Sequence, residues 1–342
     1  MLVLIVSAIV GFIFTAIAGK FFIPYLKKLH FGQTILEIGP KWHKEKQGTP
    51  IMGGIMFICG TFLAVAVALL VAKLTNANFV FSNFKTPNTI IRFVSGPVMA
   101  LLMAFVGFMD DYIKAVKKQN LGLKASQKTL LQVLIAASYL LTLYLTGFKM
   151  TYIPFVGAID VTSGLGLIFW PIALMFIYGF TNAVNLTDGV DGLASSVTVV
   201  VAAFFAVISI NAKGDVILEN SVLSLALVGS LLGFLIWNLH PAKVFMGDTG
   251  SMFLGGMVVA FSFYINCPAI LLLAGVVYLC EALSVVIQVA YFKATKGKRL
   301  FKMSPIHHHF ELSGWKENKI VVVFSVVAFV GCLLAGLCVY FG

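Results

Sequence analysis

The residues of this chain that could do chemistry fall into a few short polar stretches. Asp110 and Asp111 follow an apolar run directly, ahead of Lys114, Lys117, Lys118, Lys124 and Lys128. Adjacent carboxylates at a membrane boundary repel each other and cost solvation energy. They are tolerable at a magnesium site, as a general base, or as a solvated helix end. The stretch NAVNLTDGVDGLASS, from Asn182, has no Lys or Arg and offers Asn182, Asn185, Thr187, Asp188 and Asp191. Amides and acids of this kind suit a polar ligand or an oxygen-bound metal better than lipid anchoring, with ordinary Asp-Gly turn chemistry as the plain alternative. In NLHPAKVFMGDTGS, Asn238 to Ser251, Asp248 is the only carboxylate. Either it caps the helix that follows, or it holds a magnesium ion that bridges phosphate oxygens. Phe245 beside it could stack on a base or face lipid.

Two further stretches are basic. KWHKEKQGTPIMGG, Lys41 to Gly54, ends in adjacent glycines, where Thr49 and Pro50 fit an anion-facing helix start. KATKGKRLFKMSPIHHHFELSGWKE, from Lys293, carries His307, His308 and His309. Consecutive residues point in different directions, so a zinc site is a poor fit. Imidazoles beside Lys and Arg suit phosphate, with Glu311 placed to orient one ring. Asp, Lys and His without an evident nucleophilic Ser or Cys is equipment for magnesium-assisted phosphoryl transfer. Catalysis of that kind is mostly positioning and charge neutralisation.

The elements that must hold these stretches are apolar. Of 342 residues, 60% are hydrophobic and 11% charged. An ordinary soluble domain is about 25% charged, so a water-soluble enzyme and a disordered chain are both excluded. The pattern predicts an all-α polytopic membrane protein, one domain over 1–342. Ten spans are expected at 3–26, 51–72, 89–109, 129–147, 165–181, 194–211, 220–239, 251–266, 269–292 and 320–341. The ninth is long enough to tilt or break. A short hairpin with Gly157 in its turn is expected within 148–163. Alternating the connections puts 19 of the 24 Lys and Arg on one side and leaves Lys73, Lys85, Arg92, Lys149 and Lys213 on the other. That split orients the basic side to the cytoplasm and both termini outside. All six His and nine of thirteen carboxylates join the basic side, the exceptions being Asp160, Asp215, Glu219 and Glu281. The net charge of +11 therefore records orientation and not nucleic acid binding. A transporter would place ionisable groups near the bilayer midplane, where only Arg92 and Glu281 are candidates.

With these motifs in view, the chain resembles the polyprenyl-phosphate N-acetylhexosamine-1-phosphate transferases along essentially its whole length. The Asp110-Asp111 pair, NAVNLTDGVDGLA and FMGDTGS carry the superfamily resemblance. PIHHHFELSGWKE and the GTPxMGG run point to the branch that uses a muramoyl-pentapeptide nucleotide. Ile51 departs from the Thr usual in that branch. The resemblance implies that UDP-MurNAc-pentapeptide and undecaprenyl phosphate give lipid I and UMP, with Mg2+ required, at the bacterial cytoplasmic membrane. It implies that Asp248 holds the metal and that Asp110 or Asp111 handles the lipid phosphate. Asn185, Asp188, Asp191, Asn238 and Phe245 would line the uridine and diphosphate side. Lys46, Lys114, Lys128 and His307 to His309 would neutralise phosphate or contact the sugar-peptide. Gln288 would lie near the site, beside a groove for the prenyl chain left by a broken ninth span. Apolar outer faces leave room for a homodimer. A sister transferase acting on UDP-GlcNAc is the nearest alternative.

Overall fold

The computed structural model describes residues 1–29, 46–75, 86–117, 121–209 and 217–341. Lys41, Lys44, Lys85, Lys118, Lys213, His30, His43 and Asp215 lie outside them. The elements in chain order are α1 (Leu2–Lys28), α2 (Gly54–Leu74), α3 (Pro87–Lys117), α4 (Ala125–Leu145), β1 (Met150–Ile153), β2 (Gly157–Asp160), α5 (Phe169–Thr187), α6 (Leu193–Ile208), α7 (Ile217–Asn238), α8 (Gly247–Tyr264), α9 (Leu271–Ala274), α10 (Val276–Ala294), α11 (Ile306–Glu311) and α12 (Glu317–Phe341).

Each of the ten expected apolar stretches falls on helix. Among the described residues, eight helices are long and apolar enough to cross a membrane. The other two stretches lie on α6, of 16 residues, and on α8. From Thr249 to Tyr264 every residue of α8 is buried, so it has no outward face. It packs against α3, α5, α2, α6 and α7. A helix apolar all round belongs inside a bundle. Around it, Phe57 meets Phe234 edge-on at 5.1 Å between ring centroids, and Phe205 lies 5.8 Å from Phe261.

The outer helices show the opposite pattern. On α1, Val3, Ser7, Gly11, Thr15, Gly19, Ile23 and Leu26 are buried, a face repeating every three or four residues, while Ile5, Ile9, Ile13 and Ile17 are about half exposed. Small residues inward and large apolar residues outward is how helices associate in lipid, where backbones gain by close approach. The buried face packs on α7.

Three boundaries differ from the sequence expectation. Helix α3 runs on to Lys117, about 45 Å at 1.5 Å per residue, so Asp110 and Asp111 are helical and not the start of a loop. Helix α5 likewise runs to Thr187 and makes Asn182 and Asn185 helical. Nothing in NAVNLT breaks a helix before the Asp-Gly turn. The expected helix start at Thr49-Pro50 lies instead at Gly54. The ninth stretch does break: α9 ends at Ala274, and α10 begins after Gly275. The fold is not wholly helical, since β1 and β2 pair antiparallel; Gly157 closes the turn as the first residue of β2.

The glycines before α2 explain its late start. Backbone hydrogen bonds run from Phe245 N to Pro50 O, from Gly53 N to Phe245 O and from Gly54 N to Met246 O, at 2.8, 2.8 and 3.1 Å. A Cβ on Gly54 would stand 2.4 Å from the Cα of Gly250. The two glycines thus serve a backbone-to-backbone contact between α2 and α8. Gly54→Ala is expected to lower stability by about 1–3 kcal/mol through overpacking. Gly179→Ala on α5, where an added Cβ meets nothing within 4 Å, is expected to be neutral or slightly stabilising. Unfolding temperatures of the two variants in detergent check this; equal values would contradict it.

Candidate active site

The first turn of α8 organises the site. Gly247 has φ +70°, which suits glycine, and a Cβ there would stand 2.5 Å from a carboxylate oxygen of Asp111. The helix has no side-chain cap from its own N-cap residue. Asp111 supplies one from α3. It accepts hydrogen bonds from Asp248 N at 3.1 Å, Thr249 N at 2.9 Å and Thr249 Oγ1 at 2.7 Å. A carboxylate there satisfies orphan N–H groups and meets the positive end of the helix dipole.

Its neighbour Asp110 has different partners. Oδ1 accepts from Leu123 N at 2.8 Å, and Oδ2 lies 2.5 Å from Lys114 Nζ. The Asp248 carboxylate sits among side chains from three other helices or their starts. Oδ1 accepts from Asn185 Nδ2 at 2.9 Å. Oδ2 lies 2.8 Å from Lys128 Nζ and 3.4 Å from Lys114 Nζ. Asn185 Nδ2 also reaches Ser251 Oγ at 2.8 Å. One turn away, Gln132 and Asn182 exchange side-chain amide hydrogen bonds, the shorter at 2.9 Å, between α4 and α5. That pair fixes the register that brings Lys128 and Asn185 to the same carboxylate.

A second cluster adjoins the first. Lys46 Nζ lies 2.7 Å from both Asp191 Oδ1 and Glu317 Oε2. Burial pulls this ammonium down, but Asp191 and Glu317 outweigh it and hold it above the ordinary lysine value. His240 Nδ1 lies 3.0 Å from Asp191 Oδ2. Asp191, His240 and Glu317 place donor atoms within 4.8 Å of one another, a spacing that could hold a metal ion. Lys46 already supplies positive charge there. Asp188 lies between the clusters. Burial, then the carboxylates of Asp248, Asp111 and Asp191, hold it well above the usual carboxylate range, against the pull of Lys46.

The histidine run diverges as helical geometry requires. His307 Nδ1 lies 3.0 Å from Glu281 Oε2, both side chains fully buried. His308 Nδ1 meets Glu311 Oε2 at 2.6 Å, so Glu311 does orient one ring. His309 Nδ1 accepts from Lys302 N at 3.1 Å. Glu281, set apart from the basic side on sequence grounds, in fact contacts the basic fifth connection, because a buried carboxylate needs a partner and α10 runs beside α11.

Three expected site residues hold loops in place. Asn238 donates to Val244 O at 3.0 Å and accepts from Ser195 Oγ at 3.1 Å. Gln288 Oε1 accepts from Leu300 N and Phe301 N at 3.1 and 2.9 Å. Phe245 is half-buried and tied through its backbone to Pro50 and Gly53. Sequence reasoning passed over Gln132, Thr249, Ser251, His240 and Glu317. Thr249, Ser251 and Glu317 stood inside the quoted motifs and His240 on the basic side; Gln132 left no signal.

The raised Asp188 makes a pH prediction. An acid whose folded value is raised costs the folded state nothing while protonated in both states. The cost grows as pH rises from about 4 through the folded value. Asp188→Asn is therefore expected to raise the unfolding temperature of metal-free protein at pH 8, with the gain shrinking to nothing as pH falls to about 4. A gain independent of pH would contradict it.

The family model for glycosyl transferase family 4 matches residues 93–266, which include Asp110, Asp111, Asn185, Asp188, Asp191 and Asp248. Relatives named phospho-N-acetylmuramoyl-pentapeptide-transferase match almost end to end. The one from Clostridium acetobutylicum is 45% identical, over 97% of this chain and 98% of the relative. That from Listeria monocytogenes serotype 4b (strain CLIP80459) is 42% identical over 95% of each. That from Clostridium perfringens is 44% identical over 97% and 95%. With its apolar helices gathered around a carboxylate-and-lysine cluster, the chain belongs to the phospho-N-acetylmuramoyl-pentapeptide-transferase family.

Proposed function

We propose that the chain transfers phospho-MurNAc-pentapeptide from UDP-MurNAc-pentapeptide to undecaprenyl phosphate, giving lipid I and UMP. The setting is the bacterial cytoplasmic membrane, with the Asp248 end of the bundle facing the cytoplasm. The observation that carries this is the meeting of Lys114, Lys128 and Asn185 on Asp248 beside the Asp110–Asp111 pair. A helical bundle with apolar outer faces brings such a cluster next to a lipid acceptor.

The donor set favours a hard cation. The candidate ligands are the carboxylate oxygens of Asp248 and of its neighbours Asp110 and Asp111, and a magnesium site needs one or two carboxylates with substrate phosphates supplying the rest. The two ammonium groups already on Asp248 mark the place as one that takes positive charge. Asp248 is the proposed ligand, and magnesium, when bound, neutralises charge on the diphosphate.

An acceptor phosphate oxygen forms a bond to the β-phosphorus of the nucleotide. The bond from that phosphorus to the bridging oxygen breaks, and UMP leaves with the electron pair. A phosphate monoester has a second pKa near 6, so it is largely dianionic at neutral pH and needs little help from a base. Direct attack also fits the carboxylates. Asp111 is committed to three hydrogen bonds and Asp248 to Lys128 and Asn185, so neither is poised as a nucleophile. Asp110 fixes Lys114, whose ammonium can move from carboxylate to phosphate. Asp111 acts by holding the turn that carries Asp248. Asp191 and Phe245 line the uridine side, and Lys46, His308 and His309 meet the sugar-peptide or its phosphates.

Purified protein in detergent, given magnesium and undecaprenyl phosphate, is expected to release UMP from UDP-MurNAc-pentapeptide and to stop on chelation. Asp248→Asn is expected to lose roughly a thousandfold in kcat with the unfolding temperature little changed. Release from UDP-GlcNAc instead would move the protein to the sister activity, and release from neither would sink the proposal.

A further inference from the structure

Glu281 lies outside everything proposed so far. It sits fully buried on α10, in a helix long and apolar enough to cross a membrane. Its Oε2 meets His307 Nδ1 at 3.0 Å, while its Oε1 and the Nε2 of His307 are both buried without a hydrogen-bond partner among the described residues. As mere filling, this pair is a poor choice. Apolar side chains of similar volume hold such a place as well or better, and an ionisable group at this depth generally marks function.

The surroundings say which function. The buried face of α10 carries Tyr278, Glu281, Ser284 and Gln288. Gln288 holds the backbone at Leu300 and Phe301, and Glu281 holds His307. One helix face thus fixes the histidine-bearing segment at two points. On the other side of the ring lies the Asp188–Gly189 turn: a Cβ on Gly189 would stand 2.2 Å from His307 Nε2. The imidazole is therefore clamped between α10 and the turn that carries Asp188.

We propose that Glu281 is a positioning residue for the transfer reaction, fixing the His307 imidazole so that its Nε2 addresses the Asp188–Gly189 turn of the nucleotide side. An ionised carboxylate only accepts, so Nδ1 must carry the hydrogen. Nε2 is then left as an acceptor facing the turn, available to a donor that the bound nucleotide brings there. The inference rests on the proposed function, because its readout is that reaction.

A double-mutant cycle tests it, with kcat and KM from UMP release and unfolding temperature recorded for each protein. Glu281→Gln is expected to lower kcat by roughly ten- to a hundredfold, the usual effect of removing a histidine's second partner, with KM for the nucleotide within about twofold. In a His307→Ala background the same change is expected to do nothing more, because the effect runs through His307. A full additional loss in that background, or wild-type turnover in Glu281→Gln, would overturn the inference. Should Glu281→Gln fail to fold, the apolar pair Glu281→Met with His307→Leu is expected to fold and to turn over no faster than His307→Ala. Near-normal turnover from it would overturn the inference equally. If the wild-type protein releases no UMP, the functional reading itself fails; an active wild type with an additive cycle rejects only the role of Glu281.

Discussion

The carboxylate of Asp111 on the first turn of α8 is the contact on which the rest of the site depends. Helix α8 is buried from Thr249 onward, so the N–H groups of its first turn have little access to water. A carboxylate from α3 takes two of them together with the Thr249 hydroxyl. This places α3 against α8 with its other acid, Asp110, and Lys114 one turn on, beside Asp248. The glycines at 54 and 247 let the backbones come that close. Without the cap, the helix turn carrying Asp248 would lose the contact that sets it against α3 and its lysine.

At this end of the bundle six carboxylates (Asp110, Asp111, Asp188, Asp191, Asp248 and Glu317) meet three ammonium groups (Lys46, Lys114 and Lys128), and the imbalance is informative. Lys114 and Lys128 serve Asp110 and Asp248, and Lys46 serves Asp191 and Glu317. Asp188 stands among them with no hydrogen bond to its carboxylate from a described residue, pushed toward its neutral form by burial and its acidic neighbours. A site that must receive a diphosphate and its counter-charge is expected to be strained in this way beforehand. Ordinary folded cores pair their buried charges, while functional sites leave some tension for the ligand to relieve.

Much of this was legible in the sequence. Hydropathy located the helices because lipid leaves little choice of structure, and the Asp, Asn and His motifs pointed to the candidate site because such residues are costly near a bilayer. The division of labour between Asp110 and Asp111 was not legible, since adjacent residues look alike until a helix points them in different directions. Nor was the central place of α8: an apolar run facing protein reads the same as one facing lipid. Asn238 and Gln288 were expected at the substrate, and each also bonds a neighbouring loop. An amide's chemistry does not say whether it serves a ligand or a nearby backbone. Glu281 was visible only as an oddity, because its partner lies on a separate segment.

The Asp111 contact also bears on how the protein is made. Its two ends are 137 residues apart in the chain. Helix α3 is synthesised and delivered to the bilayer long before α8 exists. During that interval Asp111 has no N–H groups to accept from, and it must stay at the water surface or carry a proton. Arrival of α8 supplies the missing donors and draws the acid inward, so a later helix finishes a contact that the third began. A nascent chain halted before α8 would thus present helices of the right hydropathy and no assembled centre.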